Sequence, residues 1–141
     1  MAGENEVTFK YVFGEKDSLL LVILTGRVTG RETPLFEAFA EELCTKSQPI
    51  VLLNFRDIES FMPACFTQFA KLQKALREQK KLIGICSLKP EMKKSLLMAG
   101  IVRDAEVFNN IPDAWKKLVS LLEQACLAGK DGKKMDPKEN S

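Results

Sequence analysis

The chain has no histidine at all, and its cysteines are not paired in sequence. None of the 141 residues is a histidine, and the four cysteines, at positions 44, 65, 86 and 126, form no Cys-x-x-Cys motif. Structural zinc sites are built from cysteine and histidine ligands at short, characteristic spacings. We therefore expect no metal site and no cofactor, and four free thiols that behave as small apolar side chains.

The usual base and the usual motifs of covalent catalysis are also missing. A nucleophile needs a neighbouring base to activate it, and histidine is the commonest one. No Ser-x-x-Lys or Gly-x-Ser-x-Gly motif takes its place. The sequence therefore predicts a protein that is not an enzyme.

Long apolar runs and a charge excess of one sign are absent too. The longest apolar run, residues 19–24, is far shorter than the ~20 residues of a membrane-spanning helix, so we expect no direct membrane insertion. With 21 basic and 19 acidic residues dispersed along the chain, nothing indicates a nucleic-acid partner. The first residues, MAGENEV, do not have the apolar character of a signal peptide, which favours a cytoplasmic protein.

Apolar periodicity predicts an α/β fold in one domain, residues 1–129. Strands are expected near residues 7–13, 19–25, 50–55, 82–87 and 105–108, with a hairpin across the polar residues 14–18. Four helices are expected to begin near Pro34, Pro63, Pro90 and Pro112. This alternation indicates a mixed, mostly parallel sheet of about five strands. We expect the last helix to end at Gly129 and residues 130–141 to form a disordered tail, because they contain one apolar residue.

Two details of packing follow from this pattern. Gly84, inside a buried strand, predicts the close approach of a helix. Trp115 recurs with Leu118, Leu122 and Ala125 at helical spacing, which predicts that these four residues form the buried face of the last helix. Phe66 and Phe69 are expected in the core for the same reason.

The segment 26–32 (GRVTGRE) connects a strand to a helix, as phosphate-binding loops do. Its glycines are one residue too close for the P-loop pattern, and Glu32 follows Arg31 where that pattern has a serine or threonine. A solvated turn is the simpler interpretation, and weak anion binding by Arg27 and Arg31 is the alternative.

The segment 61–65 (FMPAC) is an apolar cluster where a strand turns into a helix. One interpretation is that Phe61 and Cys65 close the core. The other is that Met62, with Phe61, is exposed and anchors a partner, because methionine and aromatic residues are enriched in interface cores. The sequence leaves both open.

The order of elements over residues 7–127, and three local segments, resemble the STAS domain (sulphate transporter and anti-sigma-factor antagonist). Residues 50–59 (IVLLNFRDIE) correspond to a strand and turn, and residues 62–66 (MPACF) fall on the family's Asp-Ser-Ser-Gly-Leu motif. Residues 98–102 (MAGIV) and 107–114 (VFNNIPDA) resemble the following helix end and the entry to the final helix.

The resemblance implies a non-catalytic protein-interaction module in bacterial signalling, anti-sigma-factor antagonist-like. In phospho-switch members, a partner kinase modifies a serine at the helix start, and the added charge disrupts the interface. Pro63 and Ala64 have no hydroxyl, so we expect no phosphorylation at the motif; Ser60 and Thr67 are the nearest, weaker candidates.

The expected partner is an anti-sigma factor or kinase-like protein. The expected contact residues lie around the start of the second helix and in the adjacent loop 26–32: Arg27, Thr29, Arg31, Ser60, Phe61, Met62, Pro63 and Thr67. Two alternatives remain, a STAS subunit of a lipid-transport or other membrane-associated complex and a small anion- or nucleotide-binding module. The oligomeric state is left open.

Overall fold

A computed structural model of the chain describes residues 9–135, and side chains as far as residue 126. Over this range it has the five strands and four α-helices that the periodicity predicts. They are, in chain order, β1 (Lys10–Lys16), β2 (Leu19–Val28), α1 (Thr33–Cys44), β3 (Ile50–Phe61), α2 (Phe66–Glu78), β4 (Leu82–Cys86), α3 (Pro90–Met98), β5 (Val107–Phe108) and α4 (Ile111–Met135). Short 3₁₀ turns precede α1, α2 and β5, at Gly30–Glu32, Pro63–Cys65 and Asp104–Glu106.

The sheet has the strand order β1-β2-β3-β4-β5. β1 and β2 form an antiparallel hairpin, and every later neighbour is parallel, so the mixed and mostly parallel sheet is confirmed. The three crossovers all step in the same direction along the sheet. Because such crossovers are right-handed, α1, α2 and α3 all lie on one face.

Two hydrophobic cores follow from this arrangement. The larger one joins β-strand side chains to α1, α2 and α3 and includes Phe36, Phe39, Phe55 and Phe69. The smaller one lies on the opposite face, where Ala114 and Leu118 of α4 pack on Ile50, Leu52 and Cys86. The helices of both faces therefore bury most of β4 and of the first half of β3, residues 50–55.

The turn of the hairpin is shorter than predicted, and the strands β2 and β3 are longer. Only Asp17 and Ser18 form the turn between β1 and β2, because Asp17 adopts a left-handed conformation (φ 53°) that aspartate tolerates. The predicted start of β1 at Val7 lies outside the described residues. β2 and β3 continue to Val28 and Phe61, so residues 56–59 are strand and not turn.

The final helix is longer than predicted. It runs to Met135, so the predicted end at Gly129 is wrong; glycine inside a helix costs about 1 kcal/mol relative to alanine but does not prevent it. The disorder of residues 130–141 and the domain limit at residue 129 stay predictions, and residues 136–141 lie outside the described range.

Trp115 is not part of the buried face of α4. Ala114 and Leu118 are buried, whereas Trp115 and Ala125 are exposed. The reason lies in β4, where a Cβ on Gly84 would be 3.3 Å from Cβ of Ala114. Helix and strand approach so closely there that only a small residue fits, and the bulky indole is displaced to the edge. The approach predicted from Gly84 is thus confirmed.

Within residues 9–135, no helix combines the length and the apolar character needed to cross a membrane.

Candidate partner-binding site

The loop after β2 and the turn after β3 meet at one end of the sheet. The Met62 amide donates a hydrogen bond to the Val28 carbonyl oxygen at 2.8 Å, which continues the pairing of the two strands into the turn. The Cys65 thiol donates to the Thr29 carbonyl oxygen at 3.0 Å. The two segments that the sequence analysis assigned to one contact face, residues 26–32 and 61–67, are therefore adjacent in the structure.

Thr29 and Glu32 fix the conformation of the loop. The Glu32 carboxylate accepts hydrogen bonds from the Thr29 amide at 2.9 Å and from the Thr29 hydroxyl, and that hydroxyl accepts from the Arg31 amide at 3.3 Å. The hydrogen bond from the hydroxyl holds the pKa of Glu32 below its usual value. A largely buried carboxylate thus takes the donors that a bound anion would need.

This arrangement bears on the anion-binding alternative. Arg31 is exposed, but Arg27 is a half-buried residue of β2 rather than a loop residue. An anion near these arginines would also face the negative charge of Glu32. The solvated, internally capped turn is the interpretation that the geometry favours.

Phe61 and Met62 point in opposite directions at the end of β3. Phe61 is buried, and its ring packs in the larger core on those of Phe36, Phe55, Phe66 and Phe69. Met62 leaves 46% of its surface exposed. Cys65 is buried as well. Phe61 and Cys65 therefore belong to the core, and Met62 is exposed, as a partner anchor would have to be.

Met62 is the largest exposed side chain of the turn. Pro63 and Ala64 are exposed and begin the 3₁₀ turn, in which the Cys65 amide donates to the Met62 carbonyl oxygen at 2.9 Å. Thr67 is exposed in the first turn of α2, and Ser60 is half-buried near the end of β3. The hydroxyls therefore flank the exposed methionine without lying on the turn.

Sequence reasoning missed the contribution of α3. A groove of about 240 Å³ lies beside Met62, between the end of β3 and the start of α3; it is lined by Glu59, Ser60, Phe61, Met62, Lys89, Glu91, Met92 and Ser95. The Lys89 ammonium donates to the Ile58 carbonyl oxygen, so it caps the part of β3 that β4 is too short to pair. In sequence, Lys89 and Glu91 look like ordinary residues at a helix start.

The Cys65 thiol lies at this surface, and the other three cysteines belong to α1, β4 and α4. Burial raises the pKa of Cys86 to about 12, and Cys44 is half-buried. Cys126 is exposed, so the expectation that all four thiols pack as apolar residues is wrong for that one. Over the part of the chain that the structure describes, no group of three or more Cys, Asp or Glu side chains is placed to hold a metal ion.

Known structures match the fold of this chain, but no curated protein and no protein-family model matches its sequence. An anti-sigma factor antagonist from Mycobacterium paratuberculosis superposes with a TM-score of 0.65 over 79% of this chain and 94% of its own, at 14% identity. An anti-sigma-factor antagonist (STAS) domain protein from Planctomyces limnophilus gives 0.65 over 79% and 99%, also at 14% identity.

A third similar structure is part of a much larger protein. The murine anion transporter Solute Carrier 26 family member A9 matches with a TM-score of 0.66 over 76% of this chain, which corresponds to 18% of the transporter, at 14% identity. The chain therefore has the fold of the STAS domain. At a sequence identity of 14%, these similarities establish the fold and not the function.

Proposed function

We propose that this STAS-fold protein is a non-catalytic binding module of the anti-sigma-factor antagonist type, which acts in bacterial signalling by docking on a protein partner. The fold supports this class, because two of the similar structures are anti-sigma-factor antagonists. The exposed Met62 side chain carries the proposal. It projects from a turn that is held in place by the hydrogen bond to Val28.

The docking surface has an apolar centre and a polar rim. Met62 and Pro63 form the centre, and Arg31, Ser60 and Thr67 form the rim. Thr29 fixes the conformation of the loop. Phe61 supports the turn from the core. A partner that covers a centrally placed methionine removes apolar surface from water, and such central residues contribute most of the binding free energy at protein interfaces. The groove toward Met92 gives the partner a second place to insert a side chain.

Regulation of this surface would not use a phosphate on the turn. Met62, Pro63 and Ala64 have no hydroxyl group, and Pro63 has no amide hydrogen either. Control would then come from the abundance of the partner or from a different site.

A second candidate function keeps the surface and changes the partner. The similarity to one part of an anion transporter supports a STAS component of a membrane-associated assembly, such as a lipid-transport complex in which the same turn docks on an ATPase subunit. The two candidates differ in the protein that contacts Met62.

Site-specific photo-cross-linking in the native cell tests the proposal and distinguishes the candidates. A photoreactive amino acid at position 62 should give a defined adduct, and one at position 98, an exposed methionine at the far end of α3, serves as the matched control. A signalling protein in the adduct supports the first candidate, and a transporter subunit supports the second. Mass spectra of the same samples should show no phosphate on residues 61–66.

An adduct from position 98 together with none from position 62 would contradict the proposed surface. Phosphate on Ser60 or Thr67, with a matching loss of the adduct, would contradict the phosphorylation-independent regulation.

A further inference from the structure

The outer sides of α1 and α2 form a second surface, away from the Met62 turn. Both helices connect parallel strands on the same face of the sheet, so they run in the same direction. Gln68 of α2 donates to the Glu37 carboxylate at 3.3 Å near one end, and Gln79 donates to the Cys44 carbonyl oxygen at 3.1 Å near the other. The helices are therefore side by side and level with each other.

An open groove of about 520 Å³ follows the line between the two helices. Its floor consists of small or buried residues, Ala40, Leu72 and Ala75, and each helix contributes one continuous stripe at the spacing i, i+3, i+4, i+7. The stripe from α1 is Glu37, Ala40, Glu41 and Cys44, and the stripe from α2 is Gln68, Lys71, Leu72 and Ala75. Such a groove accepts another helical surface.

The two walls of the groove carry opposite charges. α1 contains three glutamates and no lysine or arginine, whereas α2 contains two lysines and an arginine against one glutamate. Glu42 accepts a hydrogen bond from the Tyr11 hydroxyl, and Arg77 pairs with Glu106, so both are engaged elsewhere. Of the charged residues that line the groove, Glu37 and Glu41 lie on the α1 wall and Lys71 lies on the α2 wall, and Lys74 is exposed about one turn further along α2.

These charges do not neutralise each other within one molecule. Among the residues that the structure describes, no ion pair crosses from α1 to α2. The separation leaves a surface with an acidic half and a basic half, on either side of an apolar floor. A complementary partner surface would place a basic half opposite the acidic half and an acidic half opposite the basic half.

We propose that this groove is a self-association surface, on which a second copy of the chain packs through a two-fold axis parallel to the groove. Rotation by 180° about that axis places α1 of one copy over α2 of the other. Glu37 and Glu41 of each copy then face Lys71 of its partner, with Lys74 at the rim, and the charge pairs form twice because the contact is symmetric. A two-fold axis perpendicular to the helices would instead place like charges opposite each other.

The size and charge of the surface set the strength of the contact. Two stripes of about two helical turns each bury less than the ~800 Å² per partner of a standard stable interface. The association is therefore weak, and it depends on charges at the rim. Salt screens such exposed pairs, because the Debye length falls from roughly 10 Å at 0.1 M to 3 Å at 1 M.

Analytical ultracentrifugation of charge-reversal variants tests the assignment. The wild-type protein should approach twice the monomer mass as its concentration rises, and raising the salt from about 0.05 M to about 0.5 M should weaken the association at least tenfold. The double variants Glu37→Lys/Glu41→Lys and Lys71→Glu/Lys74→Glu should each be monomeric. An equimolar mixture of the two should form a heterodimer, because their reversed walls complement each other again.

The mixture makes the experiment decisive, since each variant serves as a folding control for the other. Glu123→Lys, an exposed reversal on α4, should leave the association unchanged. A wild-type protein that stays monomeric at low salt would overturn the proposal. So would a wild-type dimer that survives both double reversals, or double variants that fail to associate when mixed.

Discussion

Replacing Gly84 with alanine is expected to lower the free energy of unfolding by roughly 2 kcal/mol, within the usual cost of overpacking a core. The added Cβ would lie 2.7 Å from Cδ2 of Leu52, 3.1 Å from Cδ1 of Leu118 and 3.3 Å from Cβ of Ala114. All three neighbours are buried between β3, β4 and α4, so none can move aside without displacing others. Urea denaturation followed by circular dichroism measures the change.

Gly14→Ala is the matched control. A Cβ at position 14, also in a strand, would meet only ordinary contacts, the closest 3.8 Å from the Leu21 carbonyl oxygen. Its effect should stay within about 0.5 kcal/mol, as for other surface substitutions. Equal effects of the two substitutions would show that α4 does not approach β4 as closely as the structure indicates.

Glu106→Ala is expected to destabilise the domain by roughly 3 kcal/mol, because it breaks a mostly buried ion pair and leaves its partners unsatisfied. The Glu106 carboxylate pairs with the Arg77 guanidinium at 2.7 and 3.0 Å. It also accepts from the Gln73 side-chain amide at 3.1 Å and from the Arg103 backbone amide at 3.0 Å. This carboxylate therefore ties α2 to the segment before β5.

Glu15→Ala removes a different kind of ion pair and serves as the comparison. Glu15 pairs with Lys46 at 3.1 Å, but its side chain is 49% exposed against 12% for Glu106. Exposed pairs contribute at most about 1 kcal/mol, so this substitution should have a small effect that decreases further in salt. If Glu15→Ala destabilised the domain as much as Glu106→Ala, the network around Glu106 would not have the proposed role.

The sequence predicted the parts of the fold that depend on local periodicity. The alternation of apolar residues located all five strands, and prolines at positions 34, 63, 90 and 112 located the helix starts within a few residues. Gly84 even predicted a contact between distant elements. These features could be predicted because each depends on the residues of one segment and on general rules of chain geometry.

Other features depended on contacts that the sequence does not display. Trp115 looked like a core residue, yet the tight approach at Gly84 admits Ala114 in its place. The extension of β3 to Phe61 passes through polar residues, and it exists because β2 pairs with it across two irregularities in register. The contribution of α3 to the groove beside Met62 could not be predicted from the sequence, because it depends on a contact between Lys89 and Ile58, which are 31 positions apart.

The partner-binding role of the Met62 turn is tested most directly by the affinity of Met62→Asp for the captured partner, measured by calorimetry. Aspartate suits this position structurally, because the residue precedes a helical turn, where aspartate is a favoured N-cap. The substitution should therefore preserve the fold and still place a charge in an apolar contact. We expect the affinity to fall by about thirtyfold or more, as for a central interface residue.

Met98→Asp is the control, since it places the same charge on a more exposed methionine at the end of α3. It should leave the affinity within about twofold of the wild-type value, as expected outside the interface. A folded Met62→Asp protein that binds the partner as tightly as the wild type would contradict the account and place the contact surface elsewhere on the domain.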